Sequence, residues 1–289
     1  MPQPQQGMLE YRQVLSMKLK SERRYINTPG TSMEIIILHP LNHKGKLPGI
    51  LWIHGGGYVT GFAEMVYASC GRMLAKKYGA VVISPQYRLS GKAPYPAALE
   101  DCFSALQYMD QHKEELGIDR IIVGGESAGG GLAVATCLYA RDNSDIEIAM
   151  QIPLYPMIDC QDTESSANNH RPIWNTRRNH MGWKKYLGKL YGNDNISPYA
   201  SPARETDYRN LPPCYTFVCE GEPFYRETLR YVENLQKAGI MASVDVYKGN
   251  IHSFDLLTPW TSQARTARRI LCNKYREIIY SDQQEEPND

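Results

Sequence analysis

No stretch of this 289-residue chain stays apolar for the roughly 20 residues that a bilayer-spanning helix requires. Its start, Met1-Pro2-Gln3-Pro4-Gln5-Gln6-Gly7, has neither the basic part nor the apolar part of a secretory leader. An excess of one charge is missing too: 32 lysines and arginines stand against 31 aspartates and glutamates, a formal net charge of +1. Neither a nucleic acid nor a membrane is therefore an expected partner. The seven cysteines (Cys70, Cys102, Cys137, Cys160, Cys214, Cys219 and Cys272) form no CxxC pair and have no metal-ligand spacing. An odd, scattered set of this kind implies reduced, mostly buried thiols, a cytoplasmic location and no metal site. Repeats and low-complexity segments are absent, apart from a polar tail at 281–289 that is expected to fray.

What is present is the composition of a globular protein, with 42% hydrophobic and 22% charged residues. The chain is long enough to bury a large core and still enclose a pocket. Short apolar runs rich in branched residues recur along it: 33–38, 50–54, 80–84, 120–124, 148–153, 215–218 and 243–247. The run at 33–38 alternates poorly but is branched; those at 50–54 and 80–84 are continuous, as expected of strands covered on both faces, and the rest read the same way. Helical patterns lie between them at 65–78, 97–115, 132–141, 226–238 and 262–280. Two of these close with cations followed by glycine, Lys76-Lys77-Tyr78-Gly79 and Gln236-Lys237-Ala238-Gly239. The alternation predicts an α/β fold, a mostly parallel central sheet with helices on both faces.

Two segments break the alternation. The first, about 1–30, carries a basic, helix-compatible stretch around 11–24; the second, about 159–195, is polar and contains Trp174, Trp183, Tyr186 and Tyr191. Neither reads as sheet-forming. Both are expected to be cap elements of a single domain spanning 1–289, folded over the carboxyl ends of the strands, where open α/β sheets bind ligands.

Gly124-Gly125-Glu126-Ser127-Ala128-Gly129-Gly130-Gly131 follows directly on a strand and opens a helix. A serine at the apex of so sharp a turn projects its hydroxyl clear of the sheet, and glycines flank it because a Cβ would clash. The helix start adds N–H groups and the positive end of a dipole. A phosphate-binding loop does not fit, because the lysine of a P-loop is missing and GxGxxG is out of register. Upstream, His54-Gly55-Gly56-Gly57 also ends a strand. Its glycines can aim N–H groups at a carbonyl oxygen and, with the N–H of Ala128, form an oxyanion hole worth roughly 3–4 kcal/mol per donor. His54 is expected to brace this loop.

A serine needs a base. Of the seven histidines, His252 alone follows the last predicted strand, at the same sheet edge as Ser127. The acid that orients it should lie between the two in chain order and leave a strand at that edge. The loop after 215–218 offers Glu220 and Glu222, and spacing does not separate them; Asp245 sits within a strand, and Asp255 comes too late.

With these residues in place, the chain is similar to the bacterial hormone-sensitive lipase family of α/β-hydrolases. The shared residues are His54-Gly55-Gly56-Gly57, Gly125 to Gly130, Tyr87-Arg88-Leu89, Pro94 to Asp101, Leu154-Tyr155-Pro156-Met157, Ser197 to Pro202 and His252-Ser253-Phe254. The resemblance implies an α/β-hydrolase fold and ester cleavage through an acyl-enzyme on Ser127. His252 is then the base, Gly56, Gly57 and Ala128 the oxyanion donors, with Gly55 a further candidate, and no metal or organic cofactor is needed. The family's acid is an aspartate before a proline and a bulky apolar residue. Here the matching run is Glu222-Pro223-Phe224, which selects Glu222, one methylene longer. Glu126 likewise stands where the family more often has aspartate, and is expected to brace the elbow. A homodimer through an edge strand or a terminal helix is also implied.

The expected substrate is a small ester. Aromatic residues of the second cap segment can line a narrow acyl pocket, which favours acetyl to butyryl groups, or can belong to the core. Amidases and acyltransferases use the same chemistry, and some α/β-hydrolase folds bind ligands without catalysis.

Overall fold

The computed structural model describes residues 17–43 and 45–280. Eight strands form one sheet: β1 (Leu19–Thr28), β2 (Thr31–Pro40), β3 (Leu47–Ile53), β4 (Val81–Pro85), β5 (Ile118–Glu126), β6 (Ile148–Leu154), β7 (Cys214–Cys219) and β8 (Ala242–Tyr247). Their order is β1-β2-β4-β3-β5-β6-β7-β8. The pairs β1/β2 and β2/β4 are antiparallel, and every other pair is parallel.

β3, β4 and β7 are buried along their whole length, as the continuous apolar runs require. Alternate residues serve opposite faces. Leu51, Ile53, Ile83, Ile121 and Val123 pack under the helices Ala97–Gln111, Ala128–Asn143 and Tyr225–Lys237. Ile50, Trp52, Val82 and Ile122 pack under the helices Cys70–Tyr78 and Ser262–Ile279 on the other side. Truncating fully buried Trp52 to alanine should cost about 3–5 kcal/mol.

The amino-terminal expectation needs correction. Residues 1–16 lie outside the described part, as does the tail 281–289, but Leu19–Thr28 is a strand and not a helical cap. It pairs with β2 from Leu19↔Pro40 to Thr28↔Thr31, turning at Pro29-Gly30, where Gly30 takes φ +79°. The basic residues that suggested a helix sit on the sheet edge. Arg23 pairs with Glu34 and Glu64, and Arg24 with Glu22 and Glu115. Charged side chains on an edge strand also discourage a second chain from adding to it.

The helical pattern at 65–78 divides into a 3₁₀ segment, Ala63–Ala68, and the helix Cys70–Tyr78. Ser69 separates them, its hydroxyl accepting the Arg72 N–H at 3.1 Å as an N-cap. The pattern at 97–115 breaks at His112, giving Ala97–Gln111 and Lys113–Leu116, here without a side-chain cap. Residues 159–195 contain no strand, and their one α-helix is Thr176–Leu187. This segment crosses the carboxyl edge of the sheet: Tyr186 stacks on Tyr58 at 4.0 Å, and its carbonyl accepts the Tyr95 N–H at 2.7 Å. All seven cysteines are unpaired thiols, and six are buried. No described helix is long and apolar enough to cross a membrane.

Candidate active site

Ser127 sits between the last residue of β5 and the helix Ala128–Asn143, with φ +59° and ψ −120°. Three backbone hydrogen bonds hold this unfavourable conformation. The Ser127 N–H donates to Leu154 O at 3.0 Å, and Ser127 O accepts from Gly131 at 2.9 Å and from Met157 at 3.0 Å. Gly129 is required by close approach: a Cβ there would stand 2.1 Å from Ile53 O. The helix can thus lie directly on the end of β3, with its N-terminus beside the serine.

His252, in the loop after β8, reaches the serine with Nε2 2.8 Å from Ser127 Oγ. Its other ring nitrogen, Nδ1, is hydrogen-bonded to Glu222 Oε2. Glu222 is fully buried, and its second oxygen accepts the Cys219 N–H at 2.8 Å. The alternative acid, Glu220, is exposed. The extra methylene is therefore accommodated by a carboxylate turned inward and anchored on the end of β7. Such a chain of hydrogen bonds lets an imidazole take a hydroxyl proton while a carboxylate fixes its tautomer.

The loop His54-Gly55-Gly56-Gly57 packs against the elbow; a Cβ on Gly55 would lie 2.9 Å from Glu126 O. Gly56 and Gly57 adopt φ +124° and +60°, and Gly56 O accepts the N–H groups of Val59 and Thr60. The N–H groups of Gly56, Gly57 and Ala128 take no part in the hydrogen bonds of these turns. His54 is buried, stacks on Tyr87 at 4.2 Å and holds Gly55 O through Nδ1 at 2.8 Å. Burial brings its pKa down to about 4, so it is a neutral brace. The Tyr87-Arg88 motif gains a physical reason. The Tyr87 hydroxyl donates to His54 O at 3.0 Å, while Arg88 holds the buried Asp101 carboxylate through Nε and Nη2, tying this loop to the helix Ala97–Gln111.

Glu126 is buried under the elbow. Burial, reinforced by the neighbouring Asp255 carboxylate, pushes its pKa up to about 8. The Trp52 indole and Cys70 N–H groups counter this in part, yet Glu126 Oε1 and Trp52 Nε1 make no hydrogen bond.

The sequence offered the aromatic residues of 159–195 either as a pocket lining or as core, and the structure separates them. Trp174 lies over the loop His54-Gly55-Gly56-Gly57: a Cβ on Gly57 would stand 2.1 Å from its Cη2, and its ring centre is 6.5 Å from that of His252. Trp183 and Tyr186 are instead fully buried against Tyr58. Glu227, buried on the helix after Glu222, accepts the N–H groups of Ile158 and Asp159 at 2.7 and 3.1 Å. Asp255, passed over for its position in the chain, is buried and bonded to Tyr155. No spacing rule would have found these contacts, because each joins residues far apart in sequence.

A serine at a strand-to-helix elbow, a histidine after the last strand and an acid after the one before it define an α/β-hydrolase. A family model described as alpha/beta hydrolase fold matches residues 50–256, and the chain belongs to that family, in its hormone-sensitive-lipase-like branch. The chain is 32% identical to Esterase LipI of Mycobacterium tuberculosis over 73% of its own length and 67% of that protein's. It is likewise 32% identical to an arylesterase of Saccharolobus solfataricus, covering 75% of this chain and 71% of the relative. Among solved structures, a bacterial heroin esterase superposes with a TM-score of 0.85 at 33% identity, over 94% of this chain and 87% of that one.

Proposed function

We propose that this protein is a serine carboxylesterase acting on small esters with acetyl to butyryl acyl groups. The observation that carries the reading is the hydrogen-bonded series Glu222, His252, Ser127, with 2.8 Å between His252 Nε2 and Ser127 Oγ. Relatives named esterase and arylesterase support the reaction class.

In this mechanism Ser127 Oγ attacks the ester carbonyl as its proton passes to His252 Nε2. Glu222 stabilises the imidazolium through Nδ1. The carbonyl oxygen becomes an oxyanion facing the N–H groups of Gly56, Gly57 and Ala128. Collapse expels the alcohol, which takes the proton from His252. Water, deprotonated by the same imidazole, then attacks the acyl-serine and releases the acid and the free hydroxyl. His54, Gly55 and Glu126 support the loop and the elbow.

Trp174 supports the short-acyl part of the reading. Its indole touches Gly57 and stands beside His252, so it lies across the space between the oxyanion donors and the base. An acyl chain must pass it. In this reading residues 159–195 act as a cap. The test is kcat/KM on p-nitrophenyl esters from acetate to dodecanoate. A steep fall beyond butyrate supports the proposal, and a flat profile removes the short-acyl part. Equal turnover by wild type and Ser127→Ala would remove the nucleophile.

A further inference from the structure

Among the buried carboxylates to which the mechanism above gives no task, one lies beside the base. Asp255, three residues beyond His252 in the short helix Phe254–Leu257, is wholly inaccessible to solvent. Its Oδ1 accepts the Tyr155 hydroxyl at 2.8 Å, and its Oδ2 accepts the Cys70 thiol at 3.5 Å. Its carbonyl oxygen accepts from the Arg268 guanidinium on the helix Ser262–Ile279. A buried carboxylate is costly unless hydrogen-bonded, and through its carboxylate and its carbonyl Asp255 fastens the histidine loop to Tyr155, Cys70 and Arg268.

Tyr155 is the other half of the link. It follows β6 with φ +36°, a conformation unfavourable for an aromatic residue. Its chain neighbours hold the nucleophile: Leu154 O accepts the Ser127 N–H, and the Met157 N–H donates to Ser127 O, each at 3.0 Å. Its own N–H is held by Phe217 O at 3.1 Å. Its ring stands nearly perpendicular to the His252 imidazole, at 77° with 5.1 Å between centres. Phe224 makes a second perpendicular contact at 5.0 Å but has no polar anchor.

One hydrogen bond at Nδ1 does not fix an imidazole. The ring can still swing about the Nδ1···Oε2 line and carry Nε2 away from Ser127 Oγ. A second restraint must come from packing, and a packed ring restrains best when it is itself pinned. We propose that the Tyr155–Asp255 pair is a positioning device that ties the nucleophile elbow to the histidine loop and keeps Nε2 of His252 aimed at Ser127 Oγ. Neither residue touches the substrate. The inference rests on the reading of Ser127 and His252 as nucleophile and base.

The test uses the full chain with Tyr155→Phe, Asp255→Asn, Asp255→Val and the double variant Tyr155→Phe/Asp255→Val. Two rates are read: turnover of p-nitrophenyl acetate, and second-order labelling of Ser127 by a fluorophosphonate. The second reports serine activation whether or not esters are the substrate. Because misalignment of the base lowers the rate without weakening binding, Tyr155→Phe and Asp255→Val should each lower kcat and the labelling rate by roughly tenfold or more, with KM within about twofold. Asp255→Asn keeps an acceptor for the tyrosine hydroxyl and should stay within about threefold of wild type. The double variant should fall no further than the worse single one, as for two halves of one contact. A folded Tyr155→Phe with wild-type kcat and labelling rate would overturn the proposal, as would losses that multiply in the double variant. If Asp255→Val does not fold, Tyr155→Phe and Asp255→Asn decide the matter. A wild type that is labelled but turns over no ester contradicts the esterase reading, and the labelling rates still decide this one.

Discussion

The two edges of the sheet differ in how the chain is bent. Among the described residues, seven non-glycine residues have a positive φ: Asn42, Tyr58, Ser127, Tyr155, Ile173, Asn210 and Ser253. At the amino edge, before β3 and β7, both are asparagines, which adopt this conformation at little cost. Around the carboxyl edge they are two serines, two tyrosines and an isoleucine, residues for which the same angle costs roughly 1–3 kcal/mol each. The amino edge also holds a cavity of about 590 Å³ lined by residues such as Arg120, Asp145, Glu147 and Asn210. A cavity by itself therefore does not mark the site. Backbone strain persists only where surrounding structure imposes it, and at Ser127 and Tyr155 it coincides with the groups proposed above as nucleophile and positioning residue.

If that contrast is functional, damage at the carboxyl edge should alter rate, and damage at the amino edge should alter stability alone. The largest effect is expected from His252→Ala, which should lower kcat on p-nitrophenyl acetate by about 10⁴-fold with the fold intact by circular dichroism. Glu222→Ala should follow at about 10²–10³-fold, while Glu220→Ala stays within about twofold; the reverse ranking would show that the exposed acid is the partner. Trp174→Ala should improve octanoate relative to acetate by roughly tenfold in kcat/KM, since removing the indole opens the space beside Gly57.

Stability against pH sharpens the contrast further. Glu126 has a folded pKa of about 8 against an ordinary 4.5, so its contribution is complete below about 4.5 and is lost as pH rises towards 8. His54 works in the opposite sense: with a folded pKa of about 4, its contribution is complete above 6.5 and is lost as pH falls towards 4. Glu126→Gln should therefore flatten the decline in urea-unfolding free energy between pH 5 and 8, by an amount on the order of a few kcal/mol. A residual slope of the same sign should remain, because burial also raises Asp255 and Glu227. An unchanged slope in Glu126→Gln would place the buried charge elsewhere. The smallest effect is assigned to the amino edge: Asn210→Ala should cost about 1 kcal/mol of stability and leave kcat unchanged.

Much of this was legible in the chain because the central strands are buried on both faces: β3, β4 and β7 along their whole length, β5 and β6 over most of it, so their cores read as apolar runs. The elbow was legible because its glycines answer a local steric demand, seen at Gly129 against Ile53. What escaped depends on contacts between distant segments. β1 carries Lys20, Arg23 and Arg24 on a sheet edge, and such charge masks a strand; the Pro29-Gly30 turn was the available signal. Spacing did not separate Glu222 from Glu220; the resemblance selected Glu222 through the run Glu222-Pro223-Phe224, and the anchoring N–H of Cys219 shows that its carboxylate faces inward. Trp174, Trp183 and Tyr186 look alike as an aromatic cluster, yet only Trp174 reaches the site while the other two fill the core around Tyr58. Asp255 and Tyr155 are 100 residues apart, a separation at which no spacing pattern operates.

The most direct test of the whole account is to catch the acyl group. Acid quench of the enzyme during turnover of p-nitrophenyl butyrate, followed by peptide mass mapping, should show one butyryl group on Ser127, absent in Ser127→Ala and not accumulating in His252→Ala. A butyryl group on another residue, or undiminished hydrolysis by Ser127→Ala, would contradict it.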